Sequence, residues 1–534
     1  MALLGALALF VACPQENLSS SPDGNSLDAG FVQVTDSGDP GIDANDSGQD
    51  EDAGSSIDAG IPAEDRIVVN GAGFELSLSG ARFYPVGFNY IHDNDDQILE
   101  HFWLGAFERI EEGLDEMAAL GANVVRLHPQ LGLFMTGPAS FHEGHFQRLE
   151  ETVAAAYQRG IYTDITGLGL FLADEVPAWL DALSEQERWE LQARFWGEVA
   201  RRFAGDPAIF CYDLINEPVV PGQAETEWML GELAGFRFVQ RIVLDPGGRD
   251  TDEIGRQWTQ QMIDAIRTHD AQALITVGVM PFVGGTGMHP ANLVDLLDFV
   301  SPHLYPEGGD VSTKADLIDT FSLGKPVLVE ETGVYTCSKD EFELFIRETA
   351  HKASGYLAHY FGKSIADYGD PQELAPLFQK QALEVLLELG PLLAEPPSGP
   401  IPLHHYTNPT QDDHYYTVVR DDLTYGIFGY VYDDVVAGVL PFNPDGAATA
   451  LCEIWDEAEH DHRLVSDCVE NSSFANLHFA GFGYGAAGAD TVPLHEYFDP
   501  AALSSYYTTE RDDVGLEALG FAYQRVLAHV FTAP

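Results

Sequence analysis

The chain has 534 residues, 45% of them hydrophobic, which is too long for one ordinary domain and enough for more than one folded core. Its 26 basic residues stand against 85 acidic ones, a formal net charge of -59. That surface excludes nucleic acid as a partner, because phosphate binding needs clustered Lys and Arg, and it disfavours anionic polymers generally.

Met1 to Ala12 form a short apolar run that ends at Cys13. Val11-Ala12-Cys13 resembles the end of a bacterial lipoprotein signal, although no Lys or Arg precedes the run and Phe10 stands where Leu is usual. The resemblance implies an exported protein, held at the cell surface or outer membrane by a lipid on Cys13, or secreted. The run is too short to be a permanent membrane span, so any membrane contact comes through that anchor. Residues 14–63 have almost no large apolar groups and repeat Asp-Ala-Gly at 28–30, 52–54 and 58–60. They cannot bury enough surface to fold, and a disordered acidic linker is expected. Asp43, Asn45 and Ser47 begin like a calcium loop, but Gly54 stands where the bidentate Glu would be needed.

From about residue 66 to about residue 390, short apolar runs alternate with longer amphipathic ones. The strand candidates are Phe83–Asn89, Ala122–His128, Gly160–Thr166, Ile209–Ile215, Ala273–Val279, Asp298–Leu304, Lys325–Glu331 and Gly355–Tyr360. Helical patterns between them include Phe107–Leu120, Phe146–Arg159, Glu185–Phe203, Asp252–Thr268 and Glu341–Lys352. Eight such alternations predict an α/β protein, a (β/α)8 TIM barrel over residues 64–395, rather than a doubly wound sheet. In that fold the active site lies at the carboxyl ends of the strands. Two of the predicted strands end in glutamate: the fourth runs into Asn216-Glu217-Pro218, and the seventh into Glu330-Glu331-Thr332-Gly333. Two carboxylates facing each other across a cleft are what glycoside hydrolysis requires.

On these residues the region resembles clan A glycoside hydrolases, most closely family 5, the cellulase and β-mannanase family. The resemblance implies that Glu217 is the acid/base, that Asn216 contacts the sugar 2-hydroxyl, and that Glu331 in Glu-Thr-Gly is the nucleophile. Glu330, one residue earlier, is expected on the opposite face of its strand. Arg126 in Val124-Val125-Arg126-Leu127 matches the residue that holds the nucleophile. His303 and Tyr305 in Ser301-Pro302-His303-Leu304-Tyr305 match further site positions, with His303 expected to bind a sugar hydroxyl. Asn89 in Gly87-Phe88-Asn89-Tyr90 resembles the end of the first strand, and Arg66–Arg82, turning at Asn70-Gly71, resembles the hairpin that closes the barrel bottom. A retaining double displacement on a β-linked oligo- or polysaccharide follows, with no metal or organic cofactor. Two positions depart from the family: Thr166 replaces the usual His after strand three, and His359 replaces the usual Trp after strand eight. Both line the reacting sugar's surroundings, so sugar and linkage do not transfer. The alternatives are a non-catalytic carbohydrate-binding surface protein on a degenerate barrel, or a transglycosylase. Tyr90, Trp103 and Trp228 could stack on sugars or pack the core.

Glu395-Pro396-Pro397-Ser398-Gly399-Pro400 ends the barrel region. Beyond it, Pro402-Leu403-His404-His405-Tyr406 recurs as Pro493-Leu494-His495-Glu496-Tyr497, and Tyr415-Tyr416-Thr417 as Tyr506-Tyr507-Thr508. A decayed copy lies between them, at Ala450–Trp455 and Arg463–Val465. Three strand-like units over 401–534 predict an all-β accessory domain of β-trefoil type. The units resemble a bacterial secreted module with Tyr-rich repeats; their aromatics would either stack on a glycan ligand or pack the domain core. Cys452 and Cys468 are close enough in sequence to pair, and Cys211 reads as a small apolar core residue.

Overall fold

The computed structural model describes residues 65–91, 97–169, 176–226, 228, 230–233, 236–239, 242–281, 287–457, 460–466, 468 and 477–534. The expected export signal with Cys13 and the expected linker lie outside them.

Eight parallel strands form the core of the first part: Val86–Tyr90, Val124–Leu127, Tyr162–Thr166, Ile209–Asn216, Ile275–Val279, Ser301–Pro302, Leu328–Thr332 and Gly355–Ala358. Each pairs with its neighbour in sequence, and the eighth returns to the first at Leu357↔Gly87. Parallel bridges Val300↔Val327 and His303↔Glu331 join the sixth strand to the seventh and close the barrel. The strands form where the sequence predicts because β-branched and aromatic runs suit a pleat buried on both faces. Every residue of the first, second, fifth, seventh and eighth strands is buried.

Several of the outer helices begin where short polar side chains can satisfy their free N–H groups. Ser184 and Glu187 form a capping box on helix Glu185–Arg202, Ser338 and Glu341 form another on Lys339–Thr349, and Asp250 caps Thr251–Arg267. The first of these helices lays Trp189, Phe195, Trp196 and Val199 against the barrel. At the amino ends of the strands the hairpin Ile67–Asn70/Gly73–Leu76 turns through Gly71 at φ +60°, a conformation that favours glycine. Phe74 on this hairpin meets Phe210 and Phe299 edge-on at 5.2 and 5.1 Å and seals the barrel floor together with Val124, Leu328 and Leu357.

The second part is all-β. It has three antiparallel units, each ordered second–first–third: Ile401–Asn408, Asp413–Thr417 and Val431–Val439; Ala448–Asp456, Asp461–Val465 and Leu477–Tyr484; Thr491–Asp499, Ser504–Thr508 and Ala522–Phe531. Matching positions tie one unit to the next. The Asp413 carboxylate accepts from the His462 backbone N–H and Asp461 from that of Ser505, both at 3.1 Å. Tyr416 and Tyr507 hydroxyls accept from the Tyr507 and Leu464 N–H groups at 2.9 and 3.1 Å. The middle unit has lost its tyrosine (Leu464) and the third its aspartate (Ser504), which is why the repeat fades there in sequence. Tyr406, Tyr416, Tyr497 and Tyr507 are core residues. Cys452 and Cys468 form a disulfide. The module docks on helix Lys339–Thr349: Arg347 Nη1 donates to the Pro441 carbonyl at 2.9 Å, its guanidinium lies 4.3 Å above the Phe479 ring, and Asn443 donates to Glu348 at 2.8 Å.

Candidate active site

The carboxyl ends of four strands converge on one guanidinium. Arg126 is fully buried; its Nη1 donates to Asn89 Oδ1 at 2.6 Å and to Glu331 Oε1 at 2.7 Å, and its Nη2 to Asp213 Oδ2 at 2.6 Å and Asn216 Oδ1 at 2.9 Å. Tyr305 OH donates to the other oxygen of Glu331 at 3.0 Å. His303 lies between the two predicted carboxylates, with Nδ1 2.9 Å from Glu217 Oε1 and 3.3 Å from Glu331 Oε2. One oxygen each of Glu217 and Glu331 and a nitrogen of His303 all fall within 4.8 Å of one another.

Local backbone geometry aims these groups. Glu217 leaves the fourth strand at φ 46°, a left-handed conformation costly for a non-glycine residue, and its N–H is held by the Gly278 carbonyl at 2.8 Å. The Gly278 N–H in turn donates to Asp213 Oδ1 at 2.7 Å. An added Cβ at Gly278 would stand 2.8 Å from Arg126 Nη2 and His303 Nε2 and 2.9 Å from Glu330 Oε2, so the site closes only over glycine. On the seventh strand the pairing register shifts between Val329 and Thr332.

That shift overturns the expectation that Glu330 and Glu331 face apart. Both carboxylates point into the barrel: Glu331 towards the cleft, and Glu330, fully buried, behind it, with Oε2 3.8 Å from both Arg126 Nη2 and His303 Nε2. Asn89 is likewise not free to bind sugar. It is fully buried and spends its amide donors on the Glu330 and Ala358 carbonyls at 2.9 and 3.2 Å, stapling the first strand to the seventh and eighth. His303 is fully buried too, and its partners are carboxylates rather than a position open to a sugar hydroxyl. His359 follows the eighth strand as expected, with Nδ1 3.2 Å from Tyr335 OH. Asn216 is half-buried, its carbonyl oxygen committed to Arg126. Tyr90 and Trp103 are core residues, packed on Phe361 and Phe134, and Trp228 lies under Arg188 with its indole N–H on Asp181 at 3.1 Å.

Charge follows the geometry. Burial would raise the Glu331 carboxyl, but His303, His359 and Arg126 outweigh it and hold Glu331 well below the usual carboxylate range. Burial would lower His303, yet the charge of Glu331 and the hydrogen bond to Glu217 carry it up to about 10. Burial, reinforced by Arg126, pushes His128 well down, so it is a neutral imidazole donating from Nε2 to Asn89 Oδ1 at 3.0 Å. Sequence reasoning missed Asp213, Glu330 and Gly278 as parts of the site. Only Gly278 carried a signal, a lone glycine inside a strand, which marks close approach of other groups.

A closed (β/α)8 barrel carrying a carboxylate pair at the ends of its fourth and seventh strands has the architecture of a glycoside hydrolase acting on β-glycans. Residues 94–362 match the cellulase family, glycosyl hydrolase family 5, and the chain belongs to it. A similar curated protein is a probable mannan endo-1,4-β-mannosidase A-2 of Aspergillus terreus, 24% identical over 337 residues that cover 56% of this chain and 75% of the relative. Among solved structures, the exo-β-1,4-mannosidase Op5Man5 from Opitutaceae bacterium strain TAV5 is 19% identical with a TM-score of 0.46, over 62% of this chain and 63% of that one. The β-mannanase of the blue mussel Mytilus edulis is 16% identical with a TM-score of 0.43, over 61% of this chain and 97% of that one.

Proposed function

We propose that the protein is a retaining β-glycosidase working by double displacement, with Glu217 as acid/base and Glu331 as nucleophile. The observation that carries this is the closeness of the pair: one oxygen of each carboxyl lies within 4.8 Å of the other, which supports the short separation of a retaining enzyme over the wider gap of an inverting one. Glu331, ionised and held by Arg126 and Tyr305, attacks the anomeric carbon, while Glu217 gives its proton to the departing glycosidic oxygen. His303 donates from Nδ1 to Glu217 Oε1, which leaves Oε2 to carry the acid proton. Water then enters, Glu217 takes its proton, the hydroxide displaces Glu331, and the sugar leaves with its original configuration. Asn216, its oxygen fixed by Arg126, presents its amide N–H groups to the sugar 2-hydroxyl.

The curated relative supports β-1,4-linked mannan or manno-oligosaccharides as the substrate. The barrel spans 64–395. The repeats at 401–534 form a trefoil-like accessory domain, with half-buried His414, Tyr506 and Phe521 clustered where its first and third units meet as the place for a glycan. The signal-like start and the Cys452–Cys468 disulfide support an exported protein, anchored through Cys13 or secreted.

The test is hydrolysis of β-1,4-manno- and gluco-oligosaccharides by the full chain, Glu331→Ala and Glu217→Ala. The expected result is activity on the mannosides, lost in Glu331→Ala and restored by azide as a glycosyl azide of inverted configuration. An active Glu331→Ala without azide, or an inverted sugar product from the wild type, would refute the mechanism.

A further inference from the structure

Behind the catalytic pair lies a second pair of acids that the mechanism above does not use. Asp164 from the third strand, Glu330 from the seventh and the Cys211 thiol from the fourth bring one atom each within 4.8 Å of one another, and all three residues are fully buried. Among the described residues no N–H or O–H group makes a hydrogen bond of ordinary length to any of the four carboxyl oxygens of Asp164 and Glu330; the Cys211 thiol beside Asp164 is a weak donor. The nearest cationic atoms fall short: Arg126 Nε is 4.0 Å from Asp164, and Arg126 Nη2 and His303 Nε2 are each 3.8 Å from Glu330. Below the pair are Val124, Phe210, Leu328 and Leu357 of the sealed floor.

Two ionised carboxylates without donors in such a place are untenable. Their surroundings already hold Asp213, Glu331 and, against His303, Glu217, so five acids face two cationic groups, Arg126 and His303, with Asn89 and Cys211 contributing no charge. A carboxylic acid donates one hydrogen bond, so a single proton turns the two orphaned groups into a donor–acceptor pair. Burial, and then Glu330, push Asp164 well above the usual range, in keeping with this. A divalent cation is the poorer occupant: the Arg126 guanidinium already stands beside both carboxylates, and burial keeps the Cys211 thiol protonated.

We propose that Asp164 and Glu330 share one proton, and that the single negative charge left on the pair, acting through His303 and Arg126, sets the field in which Glu217 and Glu331 titrate. Asp164 and Glu330 are then positioning residues. The link is His303, whose Nδ1 faces the catalytic pair while its Nε2 faces Glu330. The inference rests on Glu217 and Glu331 being the catalytic pair.

Two measurements test it. In Glu330→Gln the amide donates to an ionised Asp164, and in Asp164→Asn to an ionised Glu330, so each single variant keeps one negative charge and one hydrogen bond. Each should have kcat/KM limbs within a few tenths of a pH unit of wild type, whatever the height of the profile. The double variant loses the charge, which weakens proton binding by both Glu331 and Glu217, the pair proposed to set the limbs, and both limbs should move to lower pH by about one unit. Limbs displaced by half that amount in each single variant would mean two ionised acids in the wild type; a double variant with unmoved limbs and lowered stability would mean a structural role alone. Either result overturns the proposal. The second measurement needs no turnover, so it stands apart from the catalytic assignment. At pH 8, above the value of about 6 to which burial and Glu330 raise Asp213, the infrared difference between Glu217→Gln and Glu217→Gln/Glu330→Gln should show the C=O stretch of one protonated carboxyl, since the buried Glu453 of the accessory module, pushed well up by burial, contributes equally to both. A difference spectrum without that band would overturn the proposal.

Discussion

Gly278→Ala should disable the enzyme although a methyl at position 278 would meet neither carboxylate of the proposed catalytic pair. Glycine inside a strand ordinarily costs about 0.5–1 kcal/mol relative to alanine, so an unconstrained site would gain stability from the change. Here the new methyl would stand 2.8 Å from Arg126 Nη2 and His303 Nε2 and 2.9 Å from Glu330 Oε2. Each of those atoms must retreat by about half an ångström to reach ordinary van der Waals distance. None can retreat freely. Arg126 Nη2 is held at 2.6 Å by Asp213 and 2.9 Å by Asn216, and His303 is held at 2.9 Å by Glu217. Overpacking of this kind costs about 1–3 kcal/mol of stability. Because the displaced groups hold both Glu217 and Glu331, the proposed catalytic pair, and a shift of 1 Å can cost about a hundredfold in rate, kcat should fall roughly ten- to a hundredfold. Urea unfolding and steady-state turnover on manno-oligosaccharides read the two effects separately. A Gly278→Ala variant as stable and as fast as wild type would refute the claim that the backbone is kept bare there to seat the guanidinium and the imidazole.

Tyr305→Phe removes the hydroxyl that donates to Glu331 at 3.0 Å; kcat/KM should fall about tenfold or more, and the acid limb should move up in pH because the ionised Glu331, the proposed nucleophile, has lost a donor. An unmoved acid limb would count against Glu331 as the group titrating there. His303 is raised from 6.5 to about 10, so its contribution to stability is complete below pH 6.5 and is lost as pH rises towards 10. Wild type should therefore lose on the order of a few kcal/mol more unfolding free energy than His303→Gln between pH 6 and 9; parallel losses would refute the assignment. Reducing the Cys452–Cys468 bridge, which closes 16 residues of sequence, should lower the accessory module's unfolding free energy by about 3 kcal/mol. Calorimetry with and without reductant checks this against the barrel as internal reference.

The barrel was legible in the sequence because its signal is redundant. Eight apolar runs, most of them rich in β-branched or aromatic residues, fix strand positions to within a few residues, and strand seven as read from Lys325 to Glu331 overlaps the observed Leu328–Thr332. Arg126, Asn216, Glu217, Tyr305 and Glu331 were legible because each sits at a strand end, where the fold itself gathers side chains. What each side chain touches was harder to read. Asn89 and His303 look from sequence like groups free to bind sugar, because hydrogen-bonding capacity is visible in a residue name and its use is not. Asp213 gave no signal, since an inward-facing acid four residues before Glu217 reads the same whether it meets an arginine or solvent. In the accessory module the repeat was readable, whereas the hydrogen bonds from Asp413 to the second unit and from Asp461 to the third depend on contacts between units that spacing does not encode.

The glutamate pair on strand seven shows where period-two reasoning fails and what the failure does. Regular alternation would send one of Glu330 and Glu331 outward, and a charged group among the outer helices would be costly. The register shift between Val329 and Thr332 instead turns both inward onto the same guanidinium. Their neighbours then separate them. Glu331 receives Arg126 Nη1 and Tyr305, stays ionised and borders the cleft, whereas Glu330 receives no donor and stands closed off behind His303. Reach and donors, not position in a motif, therefore distinguish the proposed nucleophile, Glu331, from the acid behind it. The same reasoning explains why Arg126 is arginine: its two terminal nitrogens serve Asn89 and Glu331 on one side and Asp213 and Asn216 on the other, joining strands one, two, four and seven. Lysine, a single ammonium on a flexible stem, could keep the charge at this position but could not fix those four directions at once.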